Sequence, residues 1–169
     1  MEVSAEVNKH HTLEWLRTQI RISAIVGGIL AIIHPELYSV GVEALRALNE
    51  HPRTITKGER LPAVLKMWSS PFTAITAISN RDTPYHRDNG SGHPWFDILL
   101  AVGNYQNGRL ELPGLGLRLK YDPGTAVALT GRVLQHGASC PGDRACIAYH
   151  MKSNVVEKLG LSSPSWAKQ

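Results

Sequence analysis

The sequence has few of the features that mark secreted or membrane-spanning proteins. Its 169 residues include only two cysteines, Cys140 and Cys146. Two cysteines do not make a disulfide framework, so we expect a reducing, intracellular environment. No secretory signal is visible in residues 1–18, which are polar and mixed in charge. The most apolar run, residues 22–33, is shorter than the ~20 residues that cross a bilayer, so we expect no membrane partner.

The composition lacks any strong bias and is typical of a soluble globular protein. Hydrophobic residues make up 43% of the chain and charged residues 19%. A formal net charge of +4 permits an acidic partner such as nucleic acid without requiring one. The length predicts a single domain over residues 1–169, with residues 1–11 and 160–169 as loose ends and a monomer as the default state.

Helical patterns occupy the first third of the chain. Thr12 is a candidate cap for a first helix, and residues 23–33 are apolar all round, as a buried helix or strand would be. The sequence His34-Pro35-Glu36 is typical of a helix start, with proline in the first turn. Apolar positions over residues 37–48 then fit one face of a helix that ends before Pro52.

From residue 63 onward the pattern changes to short strands separated by glycine, proline, asparagine and aspartate. Asn107-Gly108 predicts a hairpin turn, and Asp122-Pro123-Gly124 predicts another turn. In residues 117–121 apolar and basic side chains alternate, which predicts an apolar inner face. The predicted strands cover residues 63–68, 72–79, 95–102, 110–112, 117–121, 125–130 and 145–151. Helices followed by strands indicate an α+β fold: a jelly-roll (double-stranded β-helix) core with N-terminal helices packed on one sheet.

The stretch Thr83-Pro84-Tyr85-His86-Arg87-Asp88-Asn89 contains a His-x-Asp pair. In an extended segment residues i and i+2 point the same way, so His86 and Asp88 would present an imidazole and a carboxylate together. These are two of the three ligands in the facial triad that holds non-haem Fe(II). Taken alone, the pair is more typical of an ordinary surface histidine beside a turn aspartate than of a metal site.

Two further residues, both later in the chain, complete the pattern. His136 is the candidate third ligand, and Arg144 opens the last predicted strand. Such a site leaves coordination positions for a 2-oxo acid and O₂, and the far carboxylate of the acid needs a planar, permanently charged partner. Taken singly, His136 fits a core histidine and Arg144 fits a surface residue paired with Asp143; the three elements together favour the metal site.

The pattern His-x-Asp, His, Arg on a β-rich chain resembles the Fe(II)/2-oxoglutarate dioxygenases. Further motifs over residues 30–155 resemble the TET/JBP branch in its compact fungal form: Ile33-His34-Pro35-Glu36-Leu37-Tyr38, Trp95-Phe96-Asp97-Ile98-Leu99, Leu112-Pro113-Gly114-Leu115-Gly116, Tyr121-Asp122-Pro123-Gly124-Thr125 and Asp143-Arg144. That branch oxidises the methyl group of 5-methylcytosine or thymine in nucleic acid. Unlike the animal enzymes, this chain has no cysteine-rich zinc region and no long low-complexity insert.

The resemblance implies Fe(II), 2-oxoglutarate and O₂ as cofactors and assigns roles to individual residues. His86, Asp88 and His136 match the iron ligands, and Arg144 matches the arginine that grips the cosubstrate's C5 carboxylate. The remaining candidates are Arg81 and Cys146 in the cosubstrate pocket and Asn89, His93 and His150 at the substrate. His150 takes a position where some relatives stack an aromatic ring on the inserted base.

The function implied is oxidation of 5-methylcytosine in DNA to 5-hydroxymethylcytosine and further, in the nucleus if DNA is the substrate. An alternative keeps the chemistry but acts on methyladenine, RNA, protein or a small molecule. A non-enzymatic alternative is a jelly-roll module that binds metal or ligand, in which the triad is not assembled or Arg144 faces solvent. The basic residues Arg109, Arg118, Lys120 and Arg132 are either solvated strand residues or, if collected on one side, a phosphate-binding surface.

Overall fold

The computed structural model describes residues 4–51 and 59–168, which form two compact units. Unit 1 comprises the chain up to Thr73 together with the segment from Asn154, and unit 2 runs from Ala74 to Ser153. Unit 1 is helical and unit 2 contains two four-stranded antiparallel sheets. The mixed fold class, with N-terminal helices preceding a jelly-roll core, is confirmed. The extent of the domain and the packing of helices on one sheet stay predictions.

The described helices begin with a short 3-10 helix, Ala5–Asn8, in the segment predicted to be loose. Four α-helices follow: α1 (His11–Ile33), α2 (Pro35–Glu50), α3 (Leu61–Met67) and α4 (Ser153–Lys158).

Helix α1 joins the first predicted helix and the apolar segment after it without a break. Thr12 lies inside α1 rather than capping it, and its Oγ1 donates a hydrogen bond to the Glu6 carbonyl at 2.5 Å. Gly27 is where Pro71 approaches, since a Cβ at Gly27 would lie 2.9 Å from the proline ring. Close packing within unit 1 therefore explains why a residue without a side chain occupies this position of the helix.

The prediction that residues 23–33 are buried all round is wrong, because one face of α1 is exposed. Ile25 is 59% exposed and Ile32 is 83% exposed. By length and composition α1 is able to cross a membrane, with a mean hydropathy of 1.5 in its most apolar window. Core helices and signal sequences pass the same test, so this is weak evidence. The absence of a membrane partner stays a prediction.

Helix α2 begins as predicted. Buried His34 is its N-cap, where Nδ1 accepts a hydrogen bond from the Leu37 backbone N–H at 3.3 Å. The predicted strand at residues 63–68 is wrong, because this segment lies mostly in α3. A proline in the first turn favours a helix there, and Leu61 and Val64, three residues apart, form its buried side. The polar sequence of residues 53–60 predicts a loop, and most of that segment lies outside the described residues.

Six of the eight strands of unit 2 correspond to the series predicted from residue 72 onward. The strands Thr83–His86 and His136–Ser139 were not predicted, because each has only four residues and contains a proline or a glycine. One sheet has the order β1-β8-β3-β6 and the other β2-β7-β4-β5, with every pair antiparallel. Strand β8 is central, and its pairing with both β1 and β3 fixes which of its side chains face inward. The strands are β1 (Ala74–Ser79), β2 (Thr83–His86), β3 (Asp97–Tyr105), β4 (Arg109–Leu112), β5 (Leu117–Lys120), β6 (Ala126–Leu129), β7 (His136–Ser139) and β8 (Gly142–His150).

The core of unit 2 draws on both sheets. Ala101 and Leu129 come from the first sheet, and Leu110, Leu112 and Ala138 from the second. The inner faces of both sheets are therefore buried against apolar neighbours, as in a sandwich.

Two local predictions in unit 2 are wrong. Asn107 does adopt a turn conformation, with φ of 61°, but the turn joins β3 to β4, which belong to different sheets, so it makes no hairpin. Leu117 is 47% exposed, so the alternation in β5 does not bury every apolar residue. Strand β5 lies at a sheet edge, where less of the strand can be covered. The turn at residues 122–124 is confirmed: Thr125 N–H donates to the Asp122 carbonyl at 3.1 Å.

Candidate active site

The two candidate histidine ligands meet across neighbouring strands. His86 ends β2 and His136 begins β7, and the two residues are direct partners in the β2–β7 pairing. Residues opposite each other in an antiparallel pair project to the same side. Their ring centroids accordingly lie 4.3 Å apart. Strand pairing thus brings together two residues that are far apart in sequence.

Asp88 completes the cluster. Its Oδ1 lies 3.5 Å from Nε2 of His86, and its Oδ2 lies 3.5 Å from Nε2 of His136. One ligand atom from each of the three residues falls within 4.8 Å of the others. The Asp88 backbone N–H donates to the Gly131 carbonyl at 3.0 Å, which ties the residue to the segment just before β7. The three side chains therefore converge around one point.

Both histidines are oriented through their other ring nitrogen. Nδ1 of His86 lies 2.9 Å from the Pro84 carbonyl, and Nδ1 of His136 lies 3.0 Å from the Leu134 carbonyl. Nδ1 donates to these carbonyls, which leaves the Nε2 lone pair of each ring for a cation. Burial lowers the pKa of His136 below its usual value and so favours the neutral imidazole that a metal needs.

The cluster is covered on one side and open on the other. The side chain of His136 is 4% exposed, whereas those of His86 and Asp88 are 37% and 40% exposed. A substrate would therefore approach past His86 and Asp88, while His136 anchors the cluster to the core.

Arg144 lies on β8 and is 4% exposed. Its Nη1 donates to the Arg81 carbonyl at 2.8 Å, but its buried Nε has no hydrogen-bond partner among the described residues. Within that same part of the chain no carboxylate forms an ion pair with it. Burying a guanidinium without a counterion is costly, so this arrangement is that of a site which awaits an anion. The alternative of a surface arginine paired with Asp143 is wrong.

The surroundings of Arg144 are aromatic and buried. Its guanidinium carbon lies 5.8 Å from the centre of the Tyr121 ring. Two residues along the same strand face, buried Cys146 places its Sγ 3.4 Å from the Tyr121 hydroxyl. Burial raises the pKa of Tyr121 and that of Cys146, so both stay uncharged. The structure thus places Cys146 beside Arg144, as the sequence predicted.

Arg81 differs from the expectation of a second basic side chain in the pocket. Its side chain is exposed, and its contact with Arg144 is made through the backbone carbonyl. Asn80, at a φ of 47°, adds a second tie: its Oδ1 accepts a hydrogen bond from the Arg144 backbone N–H at 2.8 Å. This turn therefore holds Arg144 in place from the backbone side.

The three substrate candidates are placed differently. His150 lies on the same strand face as Arg144, and burial lowers its pKa to about 4, so it is neutral near pH 7. Asn89 and His93 are exposed in the loop after Asp88, and the Asn89 carbonyl accepts a hydrogen bond from Arg132. His150 is thus the only one of the three that is partly enclosed.

Two residues next to the cluster were missed by sequence reasoning. Asp97 is 2% exposed and accepts a hydrogen bond from the Ser91 hydroxyl at 2.6 Å, and burial raises its pKa to about 7. A Cβ on Gly131 would lie 2.6 Å from Oδ2 of both Asp88 and Asp97. An acidic residue inside the apolar run Trp95-Phe96-Asp97-Ile98-Leu99 was the available signal, since charged residues are rarely buried without a role.

The arrangement fits the cofactors that the resemblance implies. Two imidazoles and one carboxylate suit Fe(II), and a buried guanidinium with no carboxylate partner among the described residues suits the far carboxylate of 2-oxoglutarate. The alternative of a binding module required an unassembled triad or a solvent-facing Arg144. The structure has the opposite of both features.

Comparisons with known proteins support this interpretation. The sequence model of the Tet_JBP family, described as the oxygenase domain of the 2OGFeDO superfamily, matches residues 4–153. A solved structure of NgTET1 in complex with 5mC DNA is similar, with a TM-score of 0.63 and 17% sequence identity. The match covers 91% of this chain but 56% of that one, so it shows a shared fold. No curated protein sequence matches the chain.

The family match spans most of the chain and includes all three residues of the cluster together with Arg144. Two histidines and one carboxylate are the ligand set of non-haem Fe(II) oxygenases, which keep open coordination positions. The chain therefore belongs to the Tet/JBP family and is an Fe(II)- and 2-oxoglutarate-dependent dioxygenase, with Fe(II), 2-oxoglutarate and O₂ as its cofactors.

Proposed function

We propose that the chain oxidises the methyl group of 5-methylcytosine in DNA to 5-hydroxymethylcytosine, and by repetition to the formyl and carboxyl forms. The observation that carries the proposal is that a neutral imidazole, His150, shares an interior strand face with the cosubstrate arginine and lies close enough to Asp88 to feel its charge. The fold shared with NgTET1, which was solved in complex with 5mC DNA, supports the choice of substrate.

In this proposal His86, Asp88 and His136 hold Fe(II), and Arg144 binds the far carboxylate of 2-oxoglutarate. With 2-oxoglutarate and O₂ the bound metal would supply an oxidant for a methyl C–H bond, so that one oxygen atom of O₂ would enter the methyl group and the other succinate, with release of CO₂. Carbonyl contacts at Nδ1 orient both imidazole rings so that each Nε2 faces the metal position.

The residues around Arg144 determine how tightly the cosubstrate is held. A bidentate guanidinium–carboxylate contact is strongest where water is excluded. Tyr121 and Cys146 stay uncharged and buried there, so they add no competing anion. In this proposal the far carboxylate of 2-oxoglutarate is the counterion of Arg144, which has no carboxylate partner in residues 4–51 and 59–168.

A methyl group inside a duplex cannot reach this cluster, so the base has to leave the stack. Extruding a nucleotide costs a few kcal/mol of stacking and pairing, which contacts in the pocket must offset. The His150 ring is neutral and half-buried. It can therefore stack against a planar base, and because it carries no charge it neither repels cations nor attracts anions. Acting on DNA would place the protein inside the cell, in the nucleus.

The test is mass spectrometry of nucleosides from 5-methylcytosine duplex DNA after incubation with the protein, Fe(II), 2-oxoglutarate and ascorbate. We expect oxidised cytosine from the wild-type chain and none from an Asp88→Ala variant. Glu111→Ala, which removes a carboxylate on the outer side of the same sheet, is the matched control and should keep activity.

Two outcomes would contradict the proposal in different ways. Succinate without any oxidised cytosine would keep the dioxygenase and reject the substrate; methyladenine, thymine and RNA would be tested next. Oxidised cytosine that persists in Asp88→Ala would reject the assignment of Asp88 as a metal ligand.

A further inference from the structure

The backbone of Arg144 lies just beyond the ladder that joins β1 to β8. The last pair in that ladder is Ser79 with Ala145, so the next residue of the first segment, Asn80, comes opposite Arg144. Asn80 has a φ of 47°, in the left-handed region, where the chain leaves the direction of the strand. The regular ladder therefore ends one residue before it reaches the arginine.

Asn80 replaces the missing part of the ladder with two hydrogen bonds of its own. Its backbone N–H donates to the Arg144 carbonyl at 2.7 Å, and its side-chain Oδ1 accepts from the Arg144 N–H at 2.8 Å. Asparagine suits this position because its short side chain carries an acceptor and because it adopts left-handed backbone more readily than most residues. One residue thus bonds both backbone polar groups of the arginine.

The same turn also reaches the guanidinium group of Arg144. The carbonyl of the next residue, Arg81, accepts a hydrogen bond from Nη1 at 2.8 Å. A guanidinium is planar and carries its donors in a fixed fork, so a bond at Nη1 restrains the direction of the buried Nε, which has no hydrogen-bond partner among the described residues. The segment formed by Asn80 and Arg81, which we call the arginine clamp, therefore holds both the backbone and the guanidinium of Arg144.

Strand β3 restrains the opposite side of the Arg144 backbone. Gly103 is the β3 partner of Arg144. A Cβ at Gly103 would lie 2.2 Å from the Asp143 carbonyl oxygen and 3.1 Å from the Arg144 Cα, so the two backbones approach closely here. The arginine is therefore confined between β3 and the arginine clamp.

We propose that Asn80 is a positioning residue for the cosubstrate, because it sets where the Arg144 guanidinium meets the far carboxylate of 2-oxoglutarate. This inference rests on the proposed role of Arg144. A bidentate pair of guanidinium and carboxylate depends on the relative placement of two planar groups. The Asn80 side chain is exposed, and it acts on cosubstrate affinity through Arg144.

The test compares two ligands in anaerobic calorimetric titrations of the Fe(II)-loaded protein. 2-Oxovalerate has a methyl group where 2-oxoglutarate has its far carboxylate, so the ratio of the two Kd values reports the contact with Arg144. Asn80→Ala removes the acceptor and strains the left-handed backbone. We expect it to reduce the preference for 2-oxoglutarate by about 10-fold or more, since small misplacements of a binding group are costly. The Kd for 2-oxovalerate should stay unchanged.

Asn107→Ala is the matched control for backbone strain. Asn107 also has a left-handed backbone, with a φ of 61°, but it lies in the turn between β3 and β4. We expect this variant to keep the wild-type ratio of Kd values. An equal loss of the ratio in both alanine variants would show that strain alone is responsible, and it would overturn the proposal.

An exchange of two side chains tests whether the acceptor oxygen of Asn80 matters. Nδ2 of Asn80 lies 3.5 Å from Oδ1 of Asp143. The double variant Asn80→Asp/Asp143→Asn keeps this pair, the net charge and an oxygen that can accept from the Arg144 N–H. We expect it to restore most of the preference for 2-oxoglutarate. If its ratio is as low as that of Asn80→Ala, the proposal is overturned.

The same titrations separate this proposal from the one on which it rests. An equal loss of affinity for both ligands in Asn80→Ala would mean that Asn80 affects the metal site or the fold in general, which would overturn its positioning role. If Arg144→Met keeps the wild-type ratio, the proposed role of Arg144 is wrong. If Arg144→Met lowers the ratio and Asn80→Ala does not, only the positioning role of Asn80 is wrong.

Discussion

The interior of unit 2 and the outer face of its second sheet use the same kinds of charged residue in opposite ways. Outside, the Arg118 guanidinium meets Glu111 directly. Inside, Arg144 is buried with no carboxylate partner among the described residues, and Oδ2 of Asp97 has no hydrogen-bond partner there. Exposed charges are stabilised by water and need little else, whereas buried charges are expensive. The buried ones therefore mark where a ligand completes the structure.

The largest expected effect is at Arg144. Removing one partner of a buried charge pair costs about 2–5 kcal/mol, so Arg144→Met should raise KM for 2-oxoglutarate by about 30-fold or more. The metal-free variant should unfold at the same denaturant concentration or a higher one, because an uncompensated charge is gone. Arg118→Met is the control and should leave KM unchanged. An unchanged KM in Arg144→Met would break the comparison.

The pH dependence of stability tests the cost of a buried charge at Asp97. Burial raises its pKa from 3.8 to about 7, so the folded state prefers the protonated form. The stability it contributes is fully present below pH 4 and is lost as pH rises through about 7. At ~1.4 kcal/mol per pKa unit, the metal-free wild type should lose up to about 4 kcal/mol relative to Asp97→Asn over that range. Urea unfolding in the presence of a chelator gives the free energy of unfolding of both proteins at each pH. If the two curves of free energy against pH are parallel, the prediction is contradicted.

A substitution at Gly131 tests the buried carboxylates through steric displacement. A Cβ there would lie 2.6 Å from Oδ2 of Asp88 and of Asp97, so Gly131→Ala must displace one carboxylate. Loss of such support typically costs about 10- to 100-fold in metal affinity, which anaerobic Fe(II) titration measures. Gly114→Ala is the matched control, since its Cβ would meet nothing within 4 Å. Equal affinity in the two variants would show that Asp88 does not depend on this contact.

The smallest effect is expected on the outer face. Arg118 is 62% exposed and Glu111 26% exposed at the side chain, so their ion pair is screened by water and salt. A double-mutant cycle with Arg118→Ala and Glu111→Ala should give a coupling energy of at most about 1 kcal/mol. A coupling as large as the Arg144 effect would show that exposure does not separate the two faces.

Much of unit 2 could be predicted from the sequence because its strands are short, alternating and bounded by turn residues. The chemistry-bearing types were also visible: His86, Asp88, His136 and Arg144 stand out by kind and order. Predictions failed where local pattern is ambiguous. Residues 63–68 have strand-like content, yet a proline in the first turn and the buried pair Leu61 and Val64 make them a helix.

The turn at Asn107 failed for a different reason. Its backbone conformation follows from local chemistry, but whether the flanking strands pair depends on partners elsewhere in the chain. The same limit applied to Arg81, whose basic side chain suggested a pocket role while its carbonyl makes the contact. A backbone contact leaves no mark in the identity of the residue that makes it.

The sequence by itself determined which residue types this protein has for chemistry and in what order they occur. Only the tertiary structure decided that His86 and His136 face each other, and that Arg144 is buried without a carboxylate partner among the described residues. The physical reason is that composition and local periodicity reside in neighbouring residues. Burial and charge compensation depend on strands that meet only when the sheets form.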